Sequence, residues 1–200
     1  THLLQIGAIL SDLTLILLAA GGSTRFGSPV KKQWLRVGHQ PLWHFVTKEF
    51  EKSKLFSKII ITAHKDEQEY MSAFTSHTVI EGGQSRQASL SNALKHVESE
   101  YVMVSDVARA CPPIEMIHQL IETCSNADVV VPSLKMSDTV SFDGDNINRE
   151  QLKRIQTPQI SRTNVLKDAL KTGQEFTDES SAIVANGGKR LEIEGDEHAH

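Results

Sequence analysis

Residues 17–33 read LLAAGGSTRFGSPVKKQ: an apolar run, a turn of small residues, then Arg25, Lys31 and Lys32 within eight positions. Gly21 and Gly22 permit close backbone approach, and amides bared in such a turn form a nest for an anion. The three cations supply neutralising charge, so a polyphosphate is the candidate ligand. Two familiar phosphate motifs are excluded. A Walker A loop needs Lys-Ser/Thr where Ser28 and Pro29 stand, and a dinucleotide fingerprint needs glycine where Ser23 stands. A plain strand-to-helix turn with a solvated basic face remains the alternative. Two more segments bear on it. EGGQSRQASLSNAL (81–94) sets Gly82 and Gly83 before a helix start, with Ser89 as a hydroxyl donor or acceptor and Arg86 placed to order the loop. SDVAR (105–109) ends an apolar run with Asp106, which can hold Mg2+, hydrogen-bond hydroxyls, or cap a helix with Arg109 as ion-pair partner.

The elements that must position these residues show in the periodicity. Apolar, β-rich runs at 13–19, 57–63, 78–82, 100–106, 127–133 and 189–195 alternate with helical spacing over 41–52, 85–97, 113–125, 162–172 and 178–186. Stretches such as IIIT and VVVP are apolar at consecutive positions, as strands covered on both faces are. The alternation predicts a single α/β domain: a doubly wound, mostly parallel sheet flanked by helices. Ligands of such sheets sit at the carboxyl ends of strands, which puts Gly21, Gly82-Gly83 and Asp106 on one rim. Residues 134–156 are polar and turn-rich and read as a projecting arm with a hairpin about Asp143-Gly144, while 1–12 form a lead-in.

Composition narrows the partners. With 39% hydrophobic and 23% charged residues the chain reads as globular, and a net charge of −4 disfavours nucleic acid and anionic membranes, so any anion must be held by a local cluster. The start THLLQIGAILSDLTLILLAA lacks an early cation and is broken by Asp12, unlike a signal peptide or a membrane span. Two cysteines, Cys111 and Cys124, suit a reducing cytoplasm, and nine histidines form no zinc-binding pattern.

Taken together, LAAGGSTRFG…KKQ, EGGQSRQASLSNAL, SDVAR, the Asp138-Thr139 pair, R…QTPQ (149–159) and TDESSA (177–182) resemble, in order and over nearly the whole chain, the 2-C-methyl-D-erythritol 4-phosphate cytidylyltransferases of the nucleotidyltransferase superfamily. Lys31 stands where that family has proline in P-K-Q, and SDVARA replaces H-D-A-A-R-P; both variants look like the N-terminal half of a bifunctional form that continues into a cyclodiphosphate synthase. The resemblance implies CTP as nucleotide, with Ala19, Ala20, Gly21 and Gly22 lining it and Gly82, Gly83 and Ser89 selecting cytosine. It implies Arg25 and Lys32 at the phosphates and Mg2+ near Asp106. It also implies a homodimer in which Thr139 and Arg149 of the arm complete the neighbour's acceptor site, joined by Thr157 and Thr177. A family lysine that contacts phosphate is expected just past His200, so one catalytic cation would lie outside these residues.

The expected reaction needs no general base, because the attacking phosphate oxygen is already anionic. Positioning and electrostatic stabilisation then carry the rate. Two rival readings stand beside it: a related nucleotidyltransferase with another nucleotide or sugar-phosphate acceptor, and a nucleotide-binding module without catalysis.

Overall fold

Leu13–Leu18 (β1) is buried along its entire length, with alternate side chains entering different cores. In the computed structural model, which describes residues 7, 12–22, 27 and 30–199, this strand lies in the interior of the sheet. A short ribbon, β2 (Arg36–Val37) and β3 (Gln40–Pro41), follows, and then α1 (Leu42–Ser53). The helix buries Trp43, Val46, Thr47 and Phe50, an i, i+3, i+4, i+7 stripe, and stops where Lys54 turns left-handed at φ 56°. Next come β4 (Lys58–Ala63), α2 (Gln68–Ser72), β5 (Thr78–Glu81), α3 (Arg86–Leu94), β6 (Tyr101–Asp106), α4 (Ile114–Thr123) and β7 (Val129–Lys135). The hairpin strands β8 (Val140–Phe142) and β9 (Asp145–Ile147), then β10 (Lys153–Ile155), β11 (Gln159–Arg162), α5 (Thr163–Leu170), α6 (Glu179–Ala185) and β12 (Arg190–Glu194) complete the described elements.

β1 pairs in parallel with β4 on one side and β6 on the other, and β5 extends the sheet beyond β4. Beyond β6 the sheet continues through the antiparallel β11 to β7, which β12 joins in parallel. Leu13, Leu15 and Leu17 meet Trp43, Phe50, Met71 and Leu120 on one face, while Ile16 and Leu18 meet Leu90, Leu166 and Ile183 on the other. Helices α1, α2 and α4 therefore cover one face and α3, α5 and α6 the other, the doubly wound arrangement expected. Each fully buried leucine or isoleucine of β1 contributes about 1.5–3 kcal/mol relative to exposure.

One expectation needs correcting. Residues 134–156 were to project as an arm, and 153–162 carried no expected strand. Instead Lys135, Leu134 and Ser133 pair with Lys153, Arg154 and Ile155, so both ends of the segment belong to the sheet. β10 and β11 are successive pieces of antiparallel strand along β7, interrupted by Gln156, Thr157 and Pro158, which mask their period. What projects is the tip: Asp143 (φ 51°) and Gly144 (φ 88°) make the left-handed turn between β8 and β9, and residues 141–151 are all exposed. Cys111 and Cys124 are both free thiols; burial pushes Cys124 up to about 12. Among the described residues no helix is long and apolar enough to cross a membrane.

Candidate active site

The chain runs from β1 to β4 and β5 in one direction and then back to β6 on the opposite side of β1. That reversal opens a crevice at the carboxyl ends of β1 and β6. Leu18 is in register with Asp106, and the Val107 amide donates to the Leu18 carbonyl at 3.2 Å, so residues 19–22 and 107–109 leave the sheet side by side. A cavity of about 720 Å3 lies there. Ala19, Ala20, Gly21 and Gly22 form one wall, Gly83 to Arg86 with Ser89 a second, and Asp106 to Arg109 a third; Lys32, Gln33 and Thr177 close the rim. Among the described residues the lining carries Lys32, Arg86, Arg109 and one carboxylate, Asp106; because Arg86 is taken up by Asp106 and the buried Glu179, Lys32 and Arg109 are the cations the cavity can turn toward an anion.

The loop after β5 is built by close approach. A Cβ on Gly82 would lie 2.4 Å from the Ala20 Cβ, and one on Gly83 would lie 2.4 Å from the Ala88 Cβ. The Gly82 amide donates to the Ala63 carbonyl (2.8 Å) and the Gly83 amide to the Ser89 hydroxyl (2.9 Å), which itself donates to the Ser85 carbonyl (3.0 Å). Ser89, expected to read cytosine with either a proton or a lone pair, has its proton committed to the loop; an acceptor lone pair is what it can offer a base. Gly82 stands behind the cavity wall. Ser85 caps α3 by accepting from the Ala88 amide at 3.1 Å.

Beneath that loop Arg86 joins two carboxylates. Its Nε and Nη2 donate to Asp106 Oδ1 and Oδ2 (3.0 and 3.3 Å), and Nη1 donates to Glu179 Oε1 at 2.6 Å. Glu179 is fully buried, and among the described residues its second oxygen has no hydrogen-bond partner. Burial pulls the Arg86 pKa down, but Glu179 and Asp106 outweigh it and hold the guanidinium charged. Burial likewise pushes the Glu179 carboxyl up, against the pull of Arg86. The two tendencies oppose each other; contact with a cation that does not release its proton favours the ionised pair. Removing one partner of such a pair costs about 3–5 kcal/mol.

The motifs QTPQ and TDESSA meet nearby. Gln159 donates to Asp178 (2.7 Å) and accepts from the Ser180 amide (3.0 Å), while Asp178 caps α6 through the Ser181 amide (3.1 Å). Burial pushes the Asp178 carboxyl up, yet hydrogen bonds from Ser181, Gln159 and Ser180 together leave it below the ordinary 3.8. Thr177 is delivered to the cavity rim by this cap. Thr157 is buried and not among the lining residues, and among the described residues its hydroxyl has no partner. Thr139 and Arg149 are exposed on the arm, where Arg149 donates to the Ser137 carbonyl at 2.7 Å; within one chain neither lines the cavity. Arg25 lies outside the described residues. Lys31, read above as a phosphate cation, instead pairs with Glu67 at 2.7 Å. Glu67, Glu179 and the amide of Gln33 went unassigned in the sequence. Only Gln33, beside Lys32, carried a local signal.

Asp106 bears on the question of a metal. Among the described residues no group of three or more His, Cys, Asp or Glu is placed to hold one, so no all-protein cage is present. One carboxylate with lone pairs beyond its Arg86 contacts does suit Mg2+ arriving with phosphates that supply most of its ligands.

A mixed, doubly wound sheet with a cavity at its switch point is the architecture on which nucleotide-binding domains are commonly built. The chain belongs to the 2-C-methyl-D-erythritol 4-phosphate cytidylyltransferase family, matched over residues 13–199. It is 54% identical over 195 residues to the bifunctional enzyme IspD/IspF of Sulfurimonas denitrificans, covering 98% of this chain and 50% of that protein. The structure of the bifunctional IspDF from Campylobacter jejuni superposes with a TM-score of 0.90 at 48% identity, over 95% of this chain and 51% of that one. The 2-C-methyl-D-erythritol 4-phosphate cytidylyltransferase of Thermus thermophilus, at 24% identity, shares the fold with a TM-score of 0.80 over 94% of this chain and 91% of its own. The chain spans about half the length of the curated relatives it matches.

Proposed function

We propose that this chain is the cytidylyltransferase unit of a bifunctional protein, corresponding to its N-terminal half, and that it works in the cytoplasm in isoprenoid biosynthesis. It transfers the CMP moiety of CTP to 2-C-methyl-D-erythritol 4-phosphate. An acceptor phosphate oxygen attacks the α-phosphorus, the bond from that phosphorus to the bridging oxygen breaks, and pyrophosphate departs with the electron pair. No proton has to move. The observation that carries this reading is the cavity itself: Lys32 and Arg109 beside a turn of glycines at the β1–β6 switch point, inside a protein of net charge −4.

Lys32 and Arg25 would bracket the α-phosphate and the leaving pyrophosphate, stabilising charge that grows as the bond breaks. Ala19 to Gly22 would line the nucleotide, and the loop of Gly82, Gly83 and Ser89 would shape the base pocket. Asp106 would hold Mg2+ bound with the triphosphate, where the ion supplies Lewis-acid charge neutralisation. Thr177, which lines the cavity, would meet the acceptor; Thr157, buried away from it, would do so only after rearrangement. The exposure of Thr139 and Arg149 on the hairpin segment suits a homodimer in which each arm completes its partner's acceptor site.

Pyrophosphate release from CTP, UTP, ATP and GTP, each with Mg2+ and 2-C-methyl-D-erythritol 4-phosphate, tests the proposal on this chain and on one extended past His200. Release that is fastest with CTP and depends on the acceptor is the expected result. Equal release with all four nucleotides, or none in either chain, would overturn it. CTP raising the melting temperature with no pyrophosphate formed would point to a binding module instead.

A further inference from the structure

Lys32 reaches the cavity rim from a single 3-10 turn, Lys32–Trp34, that follows an extended Lys31 (φ −64°, ψ 145°). Nothing in three residues of turn would hold that geometry alone. The residues on either side of Lys32 are, however, gripped by one carboxylate. Glu67 Oε1 accepts from the Lys31 ammonium at 2.7 Å, and Oε2 accepts from Gln33 Nε2 at 3.3 Å. The same Nε2 donates to the Gly21 carbonyl at 3.0 Å. Gln33 is 3% exposed, and the Lys31 and Glu67 side chains are 30% and 15% exposed, so water competes weakly for these bonds. Fixing the Gly21 carbonyl also fixes the plane of the 21–22 peptide, and the N–H of Gly22 must point the opposite way from that carbonyl.

We propose that Glu67, acting through Lys31 and Gln33, is a positioning residue that sets Lys32 and the Gly21–Gly22 turn in mutual register before a nucleotide arrives. Glu67 touches neither substrate nor reacting atoms in this role. It converts two segments of chain into one preformed grip, so less order has to be imposed on binding. The ligand in question rests on the reading of the cavity as a CTP site.

The test uses the whole chain with Glu67→Ala, Glu67→Gln, Gln33→Leu and the double variant E67A/Q33L, scored for CTP·Mg2+ affinity by calorimetry and for amide exchange without nucleotide. Each of E67A and Q33L is expected to weaken CTP about tenfold, with E67Q between them and wild type. The double variant should bind about as weakly as either single one, because both remove the same unit. Exchange should quicken over residues 19–22 and stay unchanged in β1 and β6. Multiplicative losses, quickened exchange throughout β1 and β6, or wild-type affinity and exchange in both singles would overturn the proposal. Failure of the wild-type chain to bind CTP, with exchange at 19–22 still answering to Glu67, would strike the nucleotide reading and leave the grip standing.

Discussion

At the scale of single residues, the site divides into groups that face the cavity and groups that aim them. Lys32 is of the first kind. Replacing it with alanine should cost more than about 100-fold in turnover while leaving the unfolding midpoint in urea near that of wild type, as removal of a transition-state charge partner does. Wild-type pyrophosphate release in Lys32→Ala would refute its assignment. Lys32 was readable because it stands next to other cations beside a glycine turn. Lys31 looked the same in sequence and proved different, since its partner Glu67 is 36 residues away. Glu179 was hidden for a related reason: TDESSA reads as a run of hydroxyls and acids, and only packing shows that this glutamate is the one fully buried and bonded to Arg86.

Among the elements, helix caps tie the chemistry to the fold. Asp178 caps α6, holds Gln159 of β11 and sets Thr177 on the rim. Its folded pKa lies below the ordinary value, so its stabilisation is present above the unfolded pKa and disappears as pH falls through the folded one. Asp178→Asn keeps a competent cap but cannot titrate. Urea unfolding should place the variant about 1.5–3 kcal/mol below wild type above roughly pH 4, the scale of hydrogen bonds to a charged group, with the gap closing as the solution becomes more acid. A gap that stays constant down to about pH 2 would remove the charged cap from the account. The predicted helices matched in place and type because their apolar stripes, and the caps Ser85 and Asp178 on two of them, are local. β10 and β11 did not stand out: strands of three and four residues, joined through a polar corner, offer too little period to detect.

On the scale of the whole molecule, the tip of the arm stands out, since residues 141–151 are all exposed. Phe142 is 72% exposed at its tip and Ile147 is 38% exposed beside it. In the proposed dimer these side chains are covered. Phe142→Asp should then raise the dimer dissociation constant by about 30-fold or more, the effect of losing a buried aromatic anchor, as read by sedimentation over a concentration series. A wild-type chain that stays monomeric at high concentration would sink the dimer and with it the shared acceptor site.

By itself the sequence determined the strand–helix alternation, the doubly wound class, the rim on which three loops converge and the hairpin turn at Asp143-Gly144. Each depends on residue types at short, regular spacing, which govern backbone conformation and one-sided burial locally. Tertiary structure alone decided which charges face the cavity. The Glu67 grip on both neighbours of Lys32, the Arg86 bridge between Asp106 and Glu179, and the burial of Thr157 all arise from groups far apart in the chain. Such pairings follow from sheet register and packing, and no local pattern encodes them.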